Sequence, residues 1–248
     1  MSKYGLDKFY TKKEIAKKLI EKIDLSEFNL IIEPAAGNGS FSNLINNVKA
    51  FDIEPEGFNI KKADFLKINP KEFSGNTLVI GNPPFGRNGS LALSFIKHSC
   101  LFCEKFAFIL PMSFKKQSFY DKIPMNFWKI YEEDLPENSF IFEGKEINIP
   151  CVFQIYEKRE ELRIKKKIEQ PDWFSFVKKE EANLSIRRVG IYAGKAFLDI
   201  DKSEQSHYFI KTENPIDFVD MINSIKWEHN NTVGPRSISK LELLEKIT

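Results

Sequence analysis

The 248 residues predict an α/β protein, a parallel sheet covered by helices, followed by a smaller second domain. Three observations carry this. Short apolar runs of strand type alternate with stretches of helical spacing over roughly the first hundred residues. A Gly-x-Gly turn, Gly37 and Gly39, follows the first of the long runs. An acidic residue, Asp52, closes the next run about twenty residues later, where α/β nucleotide-binding units carry one. Hydrophobic residues make up 42% and charged residues 29%, which excludes a disordered or collagen-like chain. No apolar run approaches the ~20 residues of a membrane span. The first eight residues lack the apolar core of a signal peptide. Cys100, Cys103 and Cys151 form an odd, small set that fits a reducing cytoplasm.

In order, Thr11-Lys-Lys-Glu14 reads as a capping box, with Ile15, Ala16, Leu19, Ile20 and Ile23 at helical spacing after it. Asn29-Leu-Ile-Ile-Glu33 reads as a strand, and Phe41, Leu44 and Ile45 as a helix. Val48-Lys-Ala-Phe-Asp52 and Asn76-Thr-Leu-Val-Ile-Gly81 read as further strands. Residues 91–102 read as a helix, and Phe106-Ala-Phe-Ile-Leu110 as a buried strand stopped by Pro111. Residues 140–143 and 151–156 flank a turn-like stretch and are expected to pair as an antiparallel hairpin. The charged stretch 157–169 reads as a connector, dividing the chain into domains 1–160 and 161–248. Trp173, Phe174, Phe176, Ile191, Phe197, Tyr208, Phe209 and Trp227 are expected to supply the second core.

The chemistry sits at strand ends. Gly37 and Gly39 allow a sharp bend and close approach to a ligand. Ser42 replaces the third glycine of a dinucleotide fingerprint, and there is no Gly-Lys-Ser or Gly-Lys-Thr, so neither a nicotinamide site nor a P-loop is expected. Glu33 is placed to attract a cation such as an ammonium group. Asp52, with Glu54 in reserve, is placed to accept from ribose hydroxyls. Asp64 offers an acceptor for an exocyclic amine, and Phe65 either packs on a flat base or belongs to the core. Asn82-Pro-Pro-Phe85 closes the strand at Gly81. Its prolines fix the backbone and free carbonyls to accept hydrogen bonds. The Asn82 side-chain oxygen and the Pro83 carbonyl can then hold one planar NH2 group and draw its lone pair out of conjugation. That nitrogen can attack a methyl sulfonium in line, with Phe85 stacked on the base that carries it. A bare Asn-Pro-Pro also serves as a strand-terminal turn. Its place after the glycine turn and the acidic strand end favours the chemical reading.

Taken together these residues resemble the amino-group adenine methyltransferases that use S-adenosylmethionine. Phe9-Tyr-Thr11, Glu33-Pro-Ala-Ala-Gly-Asn-Gly-Ser-Phe41, Asp52, Asp64-Phe65 and Asn82-Pro-Pro-Phe85 follow in the gamma-type order of adenine-N6 DNA methyltransferases, across roughly residues 7–157. The resemblance implies a Rossmann-like class I methyltransferase fold, a mixed seven-stranded sheet with a C-terminal antiparallel hairpin. It implies S-adenosylmethionine as cofactor and DNA as partner, with the target base flipped out. Under it, Phe9, Tyr10 and Thr11 close the methionine end and Glu33 stands near its ammonium. Pro34, Ala35, Gly37 and Gly39 cradle the cofactor. Asp52 and Ile53 meet the ribose side, and Asp64 and Phe65 the cofactor's adenine. Asn82, Pro83, Pro84 and Phe85 form the catalytic segment. Phe142, with Phe140 second, stacks on the target base beside Phe85. The C-terminal domain becomes a short target-recognition domain.

Candidate phosphate contacts are Arg87, Lys115, Lys116, Arg187 and Arg188, and the segments Arg187-Arg-Val-Gly190 and Gly234-Pro-Arg-Ser237 are candidate loops at the nucleic acid. Net charge is only +2, but residues 81–130 are rich in Lys and Arg while 131–156 hold six acids and only Lys145, so one region could face an anion and the other repel it, although solvated helix faces account for such a distribution by themselves. Cys100-x-x-Cys103 lacks a second pair, so no zinc is expected. His98, His207 and His229 are isolated from any nucleophile. A monomer is expected, with a partner subunit left open. Three other readings compete: an RNA adenine methyltransferase, a protein glutamine methyltransferase, and a vestigial partner subunit. The Phe at position 85 and the C-terminal domain argue against the glutamine enzyme, and the intact glycine and Asn-Pro-Pro-Phe segments against decay.

Overall fold

The structure, a computed structural model, describes residues 8–165, 168–227 and 236–247. The chain divides into two compact units, Met1–Ile164 and Lys165–Thr248. The first unit holds β1 (Tyr10–Thr11), α1 (Lys13–Ile20), β2 (Leu30–Glu33), β3 (Val48–Asp52), β4 (Ile60–Lys62), β5 (Thr77–Gly81) and α2 (Ser90–Ser99). It continues with β6 (Lys105–Pro111), α3 (Gln117–Tyr120), β7 (Phe127–Asp134), β8 (Phe140–Phe142), β9 (Lys145–Ile147) and β10 (Cys151–Lys158).

Seven strands form one sheet in the order β4-β3-β2-β5-β6-β10-β7. The first five are mutually parallel. β10 is antiparallel to both β6 and β7, so β7 runs with the others and β10 alone is reversed. This is the Rossmann-like class I methyltransferase architecture. Strand pleat divides the side chains between two cores. Leu78, Ile80, Ala107 and Ile109 face Ile15, Ala16 and Leu19 of α1, whereas Val79, Phe106, Phe108 and Leu110 join Ala92, Phe95 and Ile96 of α2. β5 is buried along its whole length, as a central parallel strand covered on both faces must be.

Four expectations need correction. The capping box does not form, because Thr11 is committed to β1 opposite Phe140, and Lys12 precedes α1 without a side-chain cap. Phe41, Leu44 and Ile45 do not form an α-helix; Ser42–Leu44 is a single 3-10 turn. Asn47 then takes a left-handed φ of 57° and β3 starts at Val48, leaving no length for more. Residues 140–143 do not pair with 151–156. β8 instead pairs with β1 and β9, turning through Glu143 and Gly144 at φ 48° and 73°, the two positive angles of a tight hairpin turn. The partners of β10 are β6 and β7, and β7 has no counterpart in the sequence reading. Lastly, the charged stretch after β10 is not uniformly solvated. Arg163 is buried, stacks 3.7 Å from the Tyr120 ring centre and donates to the carbonyls of Tyr120, Ile123 and Pro124.

The second unit holds β11 (Phe174–Phe176), β12 (Leu184–Arg187), β13 (Ala196–Phe197), β14 (His207–Thr212), α4 (Pro215–Ser224) and α5 (Lys240–Ile247). Its strands form an antiparallel sheet in the order β11-β14-β12-β13. Phe174, Leu184, Ile186, Ile210, Phe218, Ile222 and Leu243 make its core, with Phe176, Tyr208 and Trp227 packed at the margin. Ile191 stands outside this core, 78% exposed. No helix among the described residues is long and apolar enough to cross a membrane.

Candidate active site

Strand order reverses between β2 and β5, and ligands of open α/β sheets bind at the carboxyl ends beside such a switch. Glu33, Asp52 and Gly81 are the last residues of β2, β3 and β5, so the glycine turn and Asn82-Pro-Pro-Phe85 leave neighbouring strands. The turn is held tightly. Ala36 N–H donates to the Phe51 carbonyl (2.9 Å) and Gly39 N–H to that of Ala36 (2.7 Å). Asp52 accepts from Gly37 N–H at 2.7 Å and from Glu54 N–H at 2.8 Å. Each carboxylate oxygen keeps acceptor capacity for a hydroxyl. Ile53 beside it is 49% exposed. Gly37 takes φ 53°, and a Cβ there would stand 2.8 Å from the Tyr10 ring. Tyr10 therefore covers the turn, and burial with a hydrogen bond to Glu56 pushes its phenol up to about 12. Lys8 pairs with Glu54 (3.3 Å) and Glu56 (2.8 Å), so Glu54 is engaged away from the loop and Asp52 is the acid upon it.

Two expected contacts are not realised. Glu33 is 1% exposed and accepts from Ser42 N–H at 2.7 Å, beneath the loop rather than on its open side. Burial pushes its carboxyl up to about 8, against the lowering effect of the Ser42 and Phe41 hydrogen bonds. It braces the loop and does not reach out to an ammonium group. Phe65 is 1% exposed, its ring packed among Phe73, Phe95, Phe102 and His98, so it is a core residue with no face for a base. Asp64 accepts from Leu66 N–H (3.1 Å) and pairs with Lys67 (3.2 Å), capping a 3-10 turn.

The catalytic candidates line one shallow, open cleft, formed by Phe9, Asn82, Pro83, Pro84, Phe85, Phe140 and Ile149. Asn82 Nδ2 donates to the Phe9 carbonyl at 3.0 Å, and its buried Oδ1 has no hydrogen-bond partner among the described residues. Buried amide oxygens are rarely left so, and each such atom asks for a donor. The Thr11 Oγ1, also buried, is unpartnered in the same way. The Phe85 carbonyl accepts from Leu91 and Ala92 N–H at the start of α2, which anchors the segment's far end. Of the late aromatics, Phe140 lines the pocket, whereas Phe142 packs on Phe9 with ring centres 5.4 Å apart. Ile149 and the Phe9 carbonyl were not anticipated. A backbone acceptor leaves no mark in a side-chain motif, and Ile149 follows no pattern.

The basic candidates are unequal. Arg87, at the head of a 3-10 turn, and Arg188 are exposed. Lys115 is paired with Asp134 at 2.8 Å. Lys116 is half-buried. Arg187 turns inward, donating to the Val189 carbonyl at 2.7 Å. The two charged regions are partly paired with each other, Lys115 with Asp134 and Lys129 with Glu132. Cys100, Cys103 and Cys151 are free thiols, pushed up by burial. No group of three metal-ligating side chains occurs among the described residues. His98 packs against Phe65, His207 bonds to Ser203 and Ser206, and His229, Gly234 and Pro235 lie outside the described residues.

A Rossmann-like sheet with one reversed strand, a braced glycine turn and an Asn-Pro-Pro-Phe pocket at its switch point define a methyltransferase-like domain. Residues 29–159, more than half of the chain, match the EDM2 methyltransferase-like domain, and the chain belongs to that family. Protein ENHANCED DOWNY MILDEW 2 of Arabidopsis thaliana is 27% identical over 154 residues, which cover 54% of this chain and 12% of the relative. Solved structures of similar fold include a protein assigned as the modification subunit of a type I restriction enzyme from Vibrio vulnificus. It is 14% identical with a TM-score of 0.47, over 61% of this chain and 44% of that one. A protein assigned as an RNA methyltransferase from Pyrococcus horikoshii is 16% identical with a TM-score of 0.47, over 62% and 87%. The 23S rRNA methyltransferase ErmE is 14% identical with a TM-score of 0.44, over 63% and 72%.

Proposed function

We propose that the first unit transfers a methyl group from S-adenosylmethionine to the N6 amino group of adenine in DNA, and that the second unit reads the target. The buried, unpartnered Asn82 Oδ1 carries this reading. The amide is locked by its other end on the Phe9 carbonyl, so Oδ1 stays the unsatisfied acceptor and cannot be exchanged for the donor without breaking that bond. An acceptor suits a group that brings N–H, and the Pro83 carbonyl supplies a second one beside it. Two acceptors on one planar NH2 draw its lone pair toward a reactive geometry, a matter of positioning and electrostatics. None of the pocket-lining side chains titrates, so the surplus proton leaves to water. Phe85 and Phe142, both half-buried, supply aromatic faces for a flat base, whereas Phe140 is 1% exposed and packs behind them.

The cofactor region fits S-adenosylmethionine. Asp52, half-buried on the glycine turn, has acceptor capacity for ribose hydroxyls; Ile53 offers an exposed apolar side chain for the adenine; Gly37 and Ala35 form the cradle under Tyr10. Thr11, with its unpartnered hydroxyl, is the group left to meet the polar end of the ligand. The bound cofactor supplies an electrophilic methyl on a sulfonium. Tyr10 and the glycine turn keep water from that end of the cleft.

The test is transfer of labelled methyl from S-adenosylmethionine to unmethylated DNA, total RNA and a protein extract in parallel, with nucleoside and amino-acid analysis. N6-methyladenine from DNA supports the reading. Label in RNA adenine replaces the substrate and keeps the chemistry. Label in glutamine overturns the nucleic-acid assignment, and no label on any of the three overturns the activity.

A further inference from the structure

In the second unit, the chain between β12 and β13 makes a short excursion whose base is rigid and whose tip is apolar. Ala193 is buried, Gly194 N–H donates to the Arg187 carbonyl at 2.7 Å, and Ala193 N–H to that of Gly190 at 3.0 Å. Gly194 holds φ 96° with Trp227 and Ile238 so close that a Cβ would stand 2.4 Å from the indole. This framework holds Ile191 and Tyr192 outward, 78% and 65% exposed. Leaving two large side chains out forgoes the burial that stabilises a fold, and a tip so firmly supported is not a frayed loop.

The charge on the loop itself is one-sided. Residues 184–198 contain Arg187, Arg188 and Lys195 and no acidic residue. Arg188 leads into the loop and Lys195 leads out, both exposed. The segment 236–238 lies alongside, with Val189 bridged to Ser237, Gly190 N–H donating to the Arg236 carbonyl and Ile238 N–H to that of Arg188. Two basic stretches far apart in sequence are thus joined, placing exposed Arg236 beside the same tip. The acids that follow, Asp199 and Asp201, are taken up by Lys202 and Lys179.

We propose that this loop is a DNA contact of the second unit: Arg188, Lys195 and Arg236 hold phosphates, and Ile191 and Tyr192 press on base faces or between base steps. The chemistry is that of an apolar wedge flanked by cations, which neutralise the backbone while the wedge meets the bases. It deepens the reading of the chain as a DNA methyltransferase and rests on it. Arg187, half-buried with its guanidinium on the Val189 carbonyl and the Ser206 hydroxyl, is not among the phosphate contacts; Arg188 donates through Nε to the Gln205 carbonyl and is otherwise exposed.

The experiment uses the full chain and a fluorescein-labelled DNA duplex, with affinity read by anisotropy over a series of salt concentrations and S-adenosylmethionine binding read by calorimetry. Tyr192→Ala is expected to weaken duplex binding about tenfold or more, as loss of a stacked aromatic does. Tyr192→Phe should restore it, and both variants should bind the cofactor as wild type does. Joint Arg188→Gln and Lys195→Gln substitution should flatten the salt dependence by about two phosphates' worth of slope. If wild type binds duplex and methylates it while Tyr192→Ala and Ile191→Ser bind equally well, the wedge is overturned and the reading it rests on stands. If wild type neither binds nor methylates DNA, both fall.

Discussion

The amide of Asn82 is polarised by its surroundings into a fixed acceptor: one end is spent on the Phe9 carbonyl and the other is buried without a partner. Replacement by alanine removes the acceptor and the bond to the Phe9 carbonyl, and leaves in place Asp52 and the backbone bonds of the glycine turn. Asn82→Ala is therefore expected to lower the turnover number by about 10²–10³, the loss typical of one preorganised hydrogen-bonding group, with S-adenosylmethionine affinity within a few-fold of wild type. Single-turnover transfer assays beside calorimetry check this, and a near-normal rate would dispose of the mechanism. Phe85 borders both cores as well as the pocket. Phe85→Ala should weaken binding of target-bearing DNA by about 1–3 kcal/mol through lost stacking, and change cofactor affinity less. An equal loss of both in paired titrations would leave Phe85 a purely structural residue.

Elements differ in how plainly the sequence announces them. β5 and β6 are continuous apolar runs bounded by Gly and Pro, and they stand where their residues say. β10 is equally plain as a strand, yet its partners β6 and β7 are not, because apolar periodicity reports which face is buried and not which strand lies alongside. β7 is harder to read because Phe127-Trp-Lys-Ile-Tyr-Glu-Glu-Asp134 is an edge strand with only Phe127 buried, and its apolar residues neither alternate with polar ones nor form a continuous run. In the candidate site, side chains such as Asp52 and Asn82 can be picked out from sequence because they close apolar runs at strand ends. The site is illegible where the backbone acts, at Phe9, and misleading at Phe65, whose aromatic character serves the core. Arg163 is another such case: a charged run hides one residue that closes the turn after α3. Arg163→Ala strips three carbonyls of their donor and is expected to destabilise the chain by about 1–3 kcal/mol in urea unfolding. A midpoint unchanged from wild type would show that water replaces the guanidinium at no loss.

At the scale of the whole molecule, stability carries a pH signature from one buried acid. Glu33 holds its proton more tightly in the folded chain, with a carboxyl pushed from 4.5 to about 8. Its contribution is thus fully present below about 4.5 and is lost as pH rises through about 8. Glu33→Gln keeps an acceptor for Ser42 N–H and removes the titration. Melting temperatures taken across that range should fall less with pH in Glu33→Gln than in wild type, and parallel curves would mean the carboxyl is ionised throughout. Charge in the first unit is otherwise largely self-compensated, through pairs such as Lys115 with Asp134 and Lys158 with Glu104. One arrangement in that unit has a mechanical meaning. The short stretch from Lys8 to Thr11 is clamped to Glu54 and Glu56, lies on Gly37 through Tyr10, and holds Asn82 through the Phe9 carbonyl. A single ribbon thus serves as both the door of one chamber and the alignment pin of the next. Cover and amide are therefore fastened by the same four residues, and a change that loosens the ribbon at one end loosens the hold on both.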